Sequence, residues 1–167
     1  APKVVAVGEC GLDYHWPVPK DAQLALFEAE LAAAQEHSLP ILVHDREAHA
    51  EMYELLRQYR PRGVLHCYSG SAEDAAWLTA QGMALGFGGA VTYKGAKRAA
   101  KVLAMVPHEL AVLETDCPYM SPEPVRGTRN DSRNIAHVAA KIGEIWQMDA
   151  QSVLDLTAEN AKRIFNQ

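Results

Sequence analysis

The chain has 167 residues, 49% of them hydrophobic and 22% charged, with a net charge of −5. This is ordinary composition for one globular domain, and no apolar run approaches the ~20 residues of a membrane span. The negative balance argues against a broad phosphate-binding surface, but a bound metal can supply positive charge locally for phosphoester chemistry.

The predicted elements alternate. A strand over 3–8 leads through a loop, 9–19, into a helix over 20–37, with Leu24, Phe27, Leu31 and Ala34 at helical spacing. A strand over 41–44 precedes a helix over 47–59 that carries Met52, Leu55, Leu56 and Tyr59 on one face. Pro61-Arg62-Gly63 turns the chain into a strand over 63–67. Ser71 caps a helix running to Gln81, and Gly82 stops it. A strand over 83–88, a helix over 95–106 and a strand over 111–115 follow. A Pro-, Gly- and Arg-rich loop, 117–131, precedes helices over 132–147, 150–156 and 157–165.

Strand-helix alternation implies an α/β fold with a parallel sheet and right-handed crossovers. Short apolar strands such as Val4-Val5-Ala6-Val7 and Ile41-Leu42-Val43 suit a sheet covered on both faces. The expected architecture is a single domain, 1–167, of the (β/α)8 TIM-barrel type, with about the last five strand-helix units present. A full barrel takes about 250 residues. A five-strand portion has two raw edges and a bare inner face, so self-association is expected of it. The three cysteines are odd in number and lack Cys-x-x-Cys spacing. Together with an opening segment that reads as a strand, they suggest a reduced, cytoplasmic protein without a signal peptide.

Four of the strands end on a potential metal ligand: Glu9, His44, His66 and Asp116. Carboxylates and imidazoles at the C-terminal ends of parallel strands converge where such barrels keep their active sites. Glu114 stands two residues before Asp116 and so shares its face in an extended strand. A buried acid pair needs a metal, a proton or a cation to offset it. Asp13 is a further acid in the first loop, and Arg46 is placed to hold a phosphate. The turn His66-Cys67-Tyr68-Ser69-Gly70 opens a helix whose N–H groups can receive an anion. Tyr93–Arg98 and Arg126–Asn130 are short basic segments in loops that follow strands.

Several segments together resemble the TatD family of metal-dependent hydrolases. They are Gly8-Glu9-Cys10-Gly11-Leu12-Asp13, Val43-His44-Asp45-Arg46-Glu47-Ala48, His66-Cys67-Tyr68-Ser69-Gly70, Gly86-Phe87-Gly88-Gly89, Leu113-Glu114-Thr115-Asp116-Cys117-Pro118-Tyr119 and Arg126-Gly127 with Asn130. The resemblance implies an amidohydrolase-type barrel, a divalent centre of Mg, Mn or Zn, and DNase or phosphodiesterase activity on nucleic acid, with no membrane partner. It assigns metal binding to Glu9, His44, His66 and Asp116, with Glu9 as the bridging carboxylate. It gives Asp116 and Glu114 the catalytic places, and substrate contacts to Arg46, Ser69 and Asn130. The family's opening His-x-His pair has no counterpart here, so one of two metal positions is expected to lose most of its ligands. Ser132 also stands where a proline is usual. Two alternatives remain: an amidase or deacylase of the same superfamily, and a non-catalytic fragment.

Overall fold

Residues 3–166 are described by the structure, a computed structural model. Five parallel strands form one sheet in the order β1-β2-β3-β4-β5: Val7–Asp13, Ile41–Arg46, Gly63–Leu65, Ala84–Phe87 and Ala111–Leu113. Helices α1 (Lys20–Glu36), α2 (His49–Tyr59), α3 (Ala72–Ala80) and α4 (Lys97–Leu103) make the crossovers. Helices α5 (Ile135–Trp146) and α6 (Ala150–Phe165) close the chain. Sequential strand order with a helix on each crossover is the pattern of a (β/α)8 barrel, here a five-strand portion of one. No helix among the described residues is long and apolar enough to cross a membrane.

The sheet's two faces follow from period-two alternation. On one face, Leu12, Ile41, Val43, Leu65, Leu85 and Phe87 pack against the helices and are at most 2% exposed. Phe27 and Leu31 of α1, Met52 and Leu56 of α2 and Leu78 of α3 meet them there. The other face carries a smaller apolar layer of Val64, Ala84 and Val112, with Leu42 beside it. Ala161 and Ile164 of α6 cover this layer. Two residues further along three of these strands come His44, His66 and Glu114, on the same face as that layer. The fold therefore places a plugged apolar floor beneath a polar mouth.

Several boundaries differ from the sequence expectation. The first strand begins at Val7 and runs on through Glu9 to Asp13, so Glu9 lies inside the strand. A register shift between Val7 and Cys10 inserts one extra residue against β2. Such a bulge re-aims side chains without ending the pairing. Gly11 then passes so close to β2 that a Cβ there would lie 2.0 Å from the His44 carbonyl oxygen. The last strand stops at Leu113, and Asp116 has φ of 55°. Glu114 and Asp116 therefore do not form a strand pair on one face. The expected helices 150–156 and 157–165 are one helix. Thr157 does not break it, because its hydroxyl donates to the Val153 carbonyl at 2.8 Å. The helix expected over 132–147 opens instead with a 3-10 turn at Ser132–Asn134.

Asn160 fixes α6 to the foot of β5. Its buried Nδ2 donates to the carbonyls of His108 at 2.7 Å and Ala111 at 2.9 Å. Asn160→Ala leaves both carbonyls without that donor and should cost about 1–3 kcal/mol. Urea unfolding followed by circular dichroism should show a lower midpoint with an unchanged slope.

Candidate metal centre

Three donor atoms converge at the C-terminal mouth of the sheet. Glu9 Oε1 lies 3.0 Å from His44 Nδ1 and 2.9 Å from His66 Nε2. The two ring nitrogens are 3.1 Å apart. Among the described residues this is the group of side chains able to hold a metal ion. Access is graded: the His66 side chain is 11% exposed and Glu9 is 46% exposed.

The convergence has a local cause in each strand. His44 is the fourth residue of β2. His66 follows β3 immediately, and its N–H still donates to the Val43 carbonyl at 2.9 Å, which holds it in the ladder. At the next residue the backbone turns away, with Cys67 at φ 46°. Glu9 reaches the imidazoles from the bulge in β1.

A carboxylate stands behind each imidazole. Asp13 Oδ2 is 3.1 Å from His44 Nε2. Glu114 Oε1 is 3.7 Å from His66 Nδ1 and also accepts the Cys67 N–H at 2.5 Å. Outer carboxylates of this kind hold the ring proton on the far nitrogen and leave the near lone pair pointing inward. Glu114 needs room to do so. A Cβ on Gly86 would lie 2.4 Å from Glu114 Oε2.

This donor set fits a divalent cation. Three inward lone pairs about 3 Å apart repel one another unless a proton or cation stands among them. Donors of a tetrahedral ion at 2.0–2.1 Å are about 3.3 Å apart, close to the spacing seen. Two imidazoles and a carboxylate suit Zn, Mn or Fe better than Ca. Among the described residues no thiol belongs to the converging group, and burial pushes the Cys10 and Cys67 thiols up to about 12. For His66, burial disfavours the charged ring, but Glu114, with the charges of Glu9 and Asp116, outweighs it and raises the imidazole above its usual value.

Asp116 lies outside the converging group, near enough for its charge to act on His66. Its turn is held firmly. Tyr119 N–H donates to the Asp116 carbonyl at 2.9 Å, and Asn130 Nδ2 donates to the carbonyls of Thr115 and Tyr119, each at 2.7 Å. Asn130 is 2% exposed and its Oδ1 accepts from Asn134. Its amide is thus hydrogen-bonded inside the protein, where it holds the Asp116 turn. Arg46 is exposed at the end of β2, and Ser69 is exposed on the loop after His66. At the start of α2, His49 Nδ1 lies 2.6 Å from Oδ2 of Asp45, whose carboxyl is buried and raised by that burial. The four-residue spacing from Asp45 was the available signal. For Asp13 the signal was its place two residues beyond Gly11 on one strand face.

Titration calorimetry with Zn or Mn should find an ion position that His44→Ala or His66→Ala abolishes. Binding displaces any proton held on His66. With that pKa raised, protons compete from a higher pH than for an ordinary histidine. Affinity should therefore rise from pH 6 to pH 8, and Glu114→Gln should flatten the rise.

The TatD related DNase family model matches residues 1–166. The chain is 41% identical over 167 residues to an uncharacterized metal-dependent hydrolase, YabD, of Bacillus subtilis (strain 168), covering 98% of this chain and 66% of that protein. It is 35% identical over 176 residues to the 3'-5' ssDNA/RNA exonuclease TatD of Edwardsiella piscicida, covering 99% of this chain and 67% of that one. The crystal structure of YJJV, a TatD homolog from Escherichia coli K12, superposes with a TM-score of 0.90 at 32% identity. That match covers 99% of this chain and 65% of YJJV. The chain thus spans about two thirds of the length of these relatives. Family model, identity and fold agree, and the chain belongs to the TatD-related DNase family of metal-dependent hydrolases.

Proposed function

We propose that this chain carries the core of a divalent-metal-dependent nuclease that hydrolyses phosphodiester bonds in nucleic acid. The observation that carries this is the triangle of Glu9, His44 and His66, with a carboxylate behind each ring. The relative named as a 3'-5' ssDNA/RNA exonuclease supports the substrate class.

Glu9, His44 and His66 would hold the ion, which when bound supplies Lewis acidity and makes water more acidic at neutral pH. Asp13 and Glu114 keep the two rings in register. Asp116, on the turn pinned by Asn130, takes the proton of the attacking water as general base. Arg46 pairs with a non-bridging phosphate oxygen, and the Ser69 loop lines the anion's approach. Three donors account for a single ion position. A two-ion centre needs more ligands, and Asp116 is the further one this chain offers. The sheet edge at β1 and exposed Val4 and Val5 support self-association of the chain.

A labelled single-stranded oligonucleotide should be cleaved by the chain with added Mn, Mg or Zn and left intact in excess chelator. Asp116→Asn should lower kcat by about 10²- to 10⁴-fold with little change in KM. Undiminished cleavage in chelator would sink the metal-dependent mechanism. Hydrolysis of an amide panel without phosphodiester cleavage would move the reaction to the deacylase class. Sedimentation across a concentration series should show a species larger than the monomer.

A further inference from the structure

A cavity of about 300 Å³ opens where the chain enters β2 and β3, at the other end of these strands from His44 and His66. That volume is enough for a small organic ligand. Two turns of similar design frame it. Each of α1 and α2 is followed by a left-handed residue, Ser38 at φ 52° and Arg60 at φ 46°, with a proline one or two residues later. The turns are bound to each other. The Ile41 N–H donates to the Arg62 carbonyl at 3.0 Å, and Arg62 Nη2 donates to the Ser38 carbonyl at 3.1 Å. A Cβ on Gly63 would run into the Ile41 carbonyl oxygen, so glycine is what lets them lie this close. The frame is thus fixed before any ligand arrives, which lowers the entropy cost of binding.

The lining has two characters. Leu31, Ala34, Leu39, Tyr59 and Pro61 make an apolar wall. Arg60 and Arg62 are exposed beside it, and among the described residues no carboxylate lines the cavity. Neither guanidinium pairs with an acid among those residues; the side chain of Arg62 meets only the Ser38 carbonyl. The C-terminal ends of α1 and α2 also lie here and bring about half a negative charge each. Several of their last carbonyls are already taken: Ala33, Ala34 and Gln35 accept from His37, Leu39 and Ser38, and Leu56 accepts from Arg60. Two whole positive charges exceed two half charges, so the cavity is locally positive in a chain of net charge −5. An apolar wall beside uncompensated guanidiniums complements a molecule with an apolar body and one anionic head.

We propose that this cavity is a second ligand site, which binds a small amphipathic anion: a monophosphate or carboxylate on an aromatic or short apolar body. Arg60 and Arg62 meet the anion, and Tyr59, Leu39 and Pro61 meet the body. The site is separate from the metal centre and does not depend on the nuclease reaction.

The test is amide NMR of the 15N-labelled chain in excess chelator, with phenyl phosphate and benzoate as probes of the two heads. At least one of them should shift the amides of Ser38, Leu39, Arg60 and Arg62 saturably, with a dissociation constant on the order of 1 mM. The amides of His44 and His66 should stay in place. Inorganic phosphate lacks the body and benzyl alcohol lacks the head, so each should bind about fivefold or more weakly than the better probe. Arg60→Gln should weaken that probe about fivefold, and Arg60→Lys should retain most of the affinity. The Arg60 side chain makes no hydrogen bond within the described residues, so both variants should fold, and circular dichroism checks this. The better probe should also raise the thermal midpoint of the parent more than that of Arg60→Gln. The proposal is overturned if neither anion gives saturable shifts at these turns, if the shifts centre on the metal donors, if Arg60→Gln binds as tightly as the parent, or if benzyl alcohol binds as well as the anions.

Discussion

The contact on which the rest of this molecule depends is the meeting of one carboxylate oxygen with two imidazole nitrogens, all about 3 Å apart. Groups that each offer a lone pair do not gather without a cause. Here the cause is strand register: Gly11 pairs with His44, and Val43 with Leu65, so His44 and His66 stand side by side across the sheet. The bulge in β1 supplies the remaining offset and brings Glu9 to them. A register slip of one residue would send each histidine to the helix-covered face. The apolar packing of that face is therefore also what aims the ligands. Burial of Val43 and Leu65 forces their neighbours His44 and His66 to the opposite side.

The inner face has a division of labour along its length. Near the N-terminal ends of the strands, Val64, Ala84 and Val112 form an apolar layer, and α6 covers it. One alternation further along, the same face turns polar. The floor excludes water from below, which strengthens every charge interaction above it. Asp13, Glu114 and Asn130 then serve as supports. Asp13 and Glu114 stand behind the two imidazoles, and Asn130 holds the Asp116 turn. Gly86 belongs to this support as well, since only an absent side chain leaves room for the Glu114 carboxylate.

Charge on the surface is distributed against the average. The chain as a whole is acidic, and composition alone argued against a polyanion partner. The fold lays Arg126, from the loop after β5, over Tyr93, and brings Arg98, in the first turn of α4, to the Ser69 carbonyl. Net charge sets solubility and long-range behaviour, whereas a partner meets only the local arrangement of charge.

The sequence by itself determined the strand-helix rhythm and the parallel sheet, and it nominated four strand-end donors, Glu9, His44, His66 and Asp116, of which the first three converge. Those features are local: period-two alternation, turn residues and strand-end position are all written within a few neighbouring residues. It also carried the family motifs, which span the chain. Tertiary structure decided what depends on register and on distant loops. The bulge that keeps Glu9 inside β1 is a property of the pairing with β2, not of β1 alone. Asn130 looks like a substrate contact in sequence, yet it is buried against Thr115 and Tyr119, because its partners are backbone carbonyls that no side-chain pattern announces. Asp116 leaves the strand because the chain turns at positive φ, so alternation past Leu113 misleads. The joining of Tyr93 to Arg126 spans two loops, and only the packing of adjacent strand ends could bring them into contact.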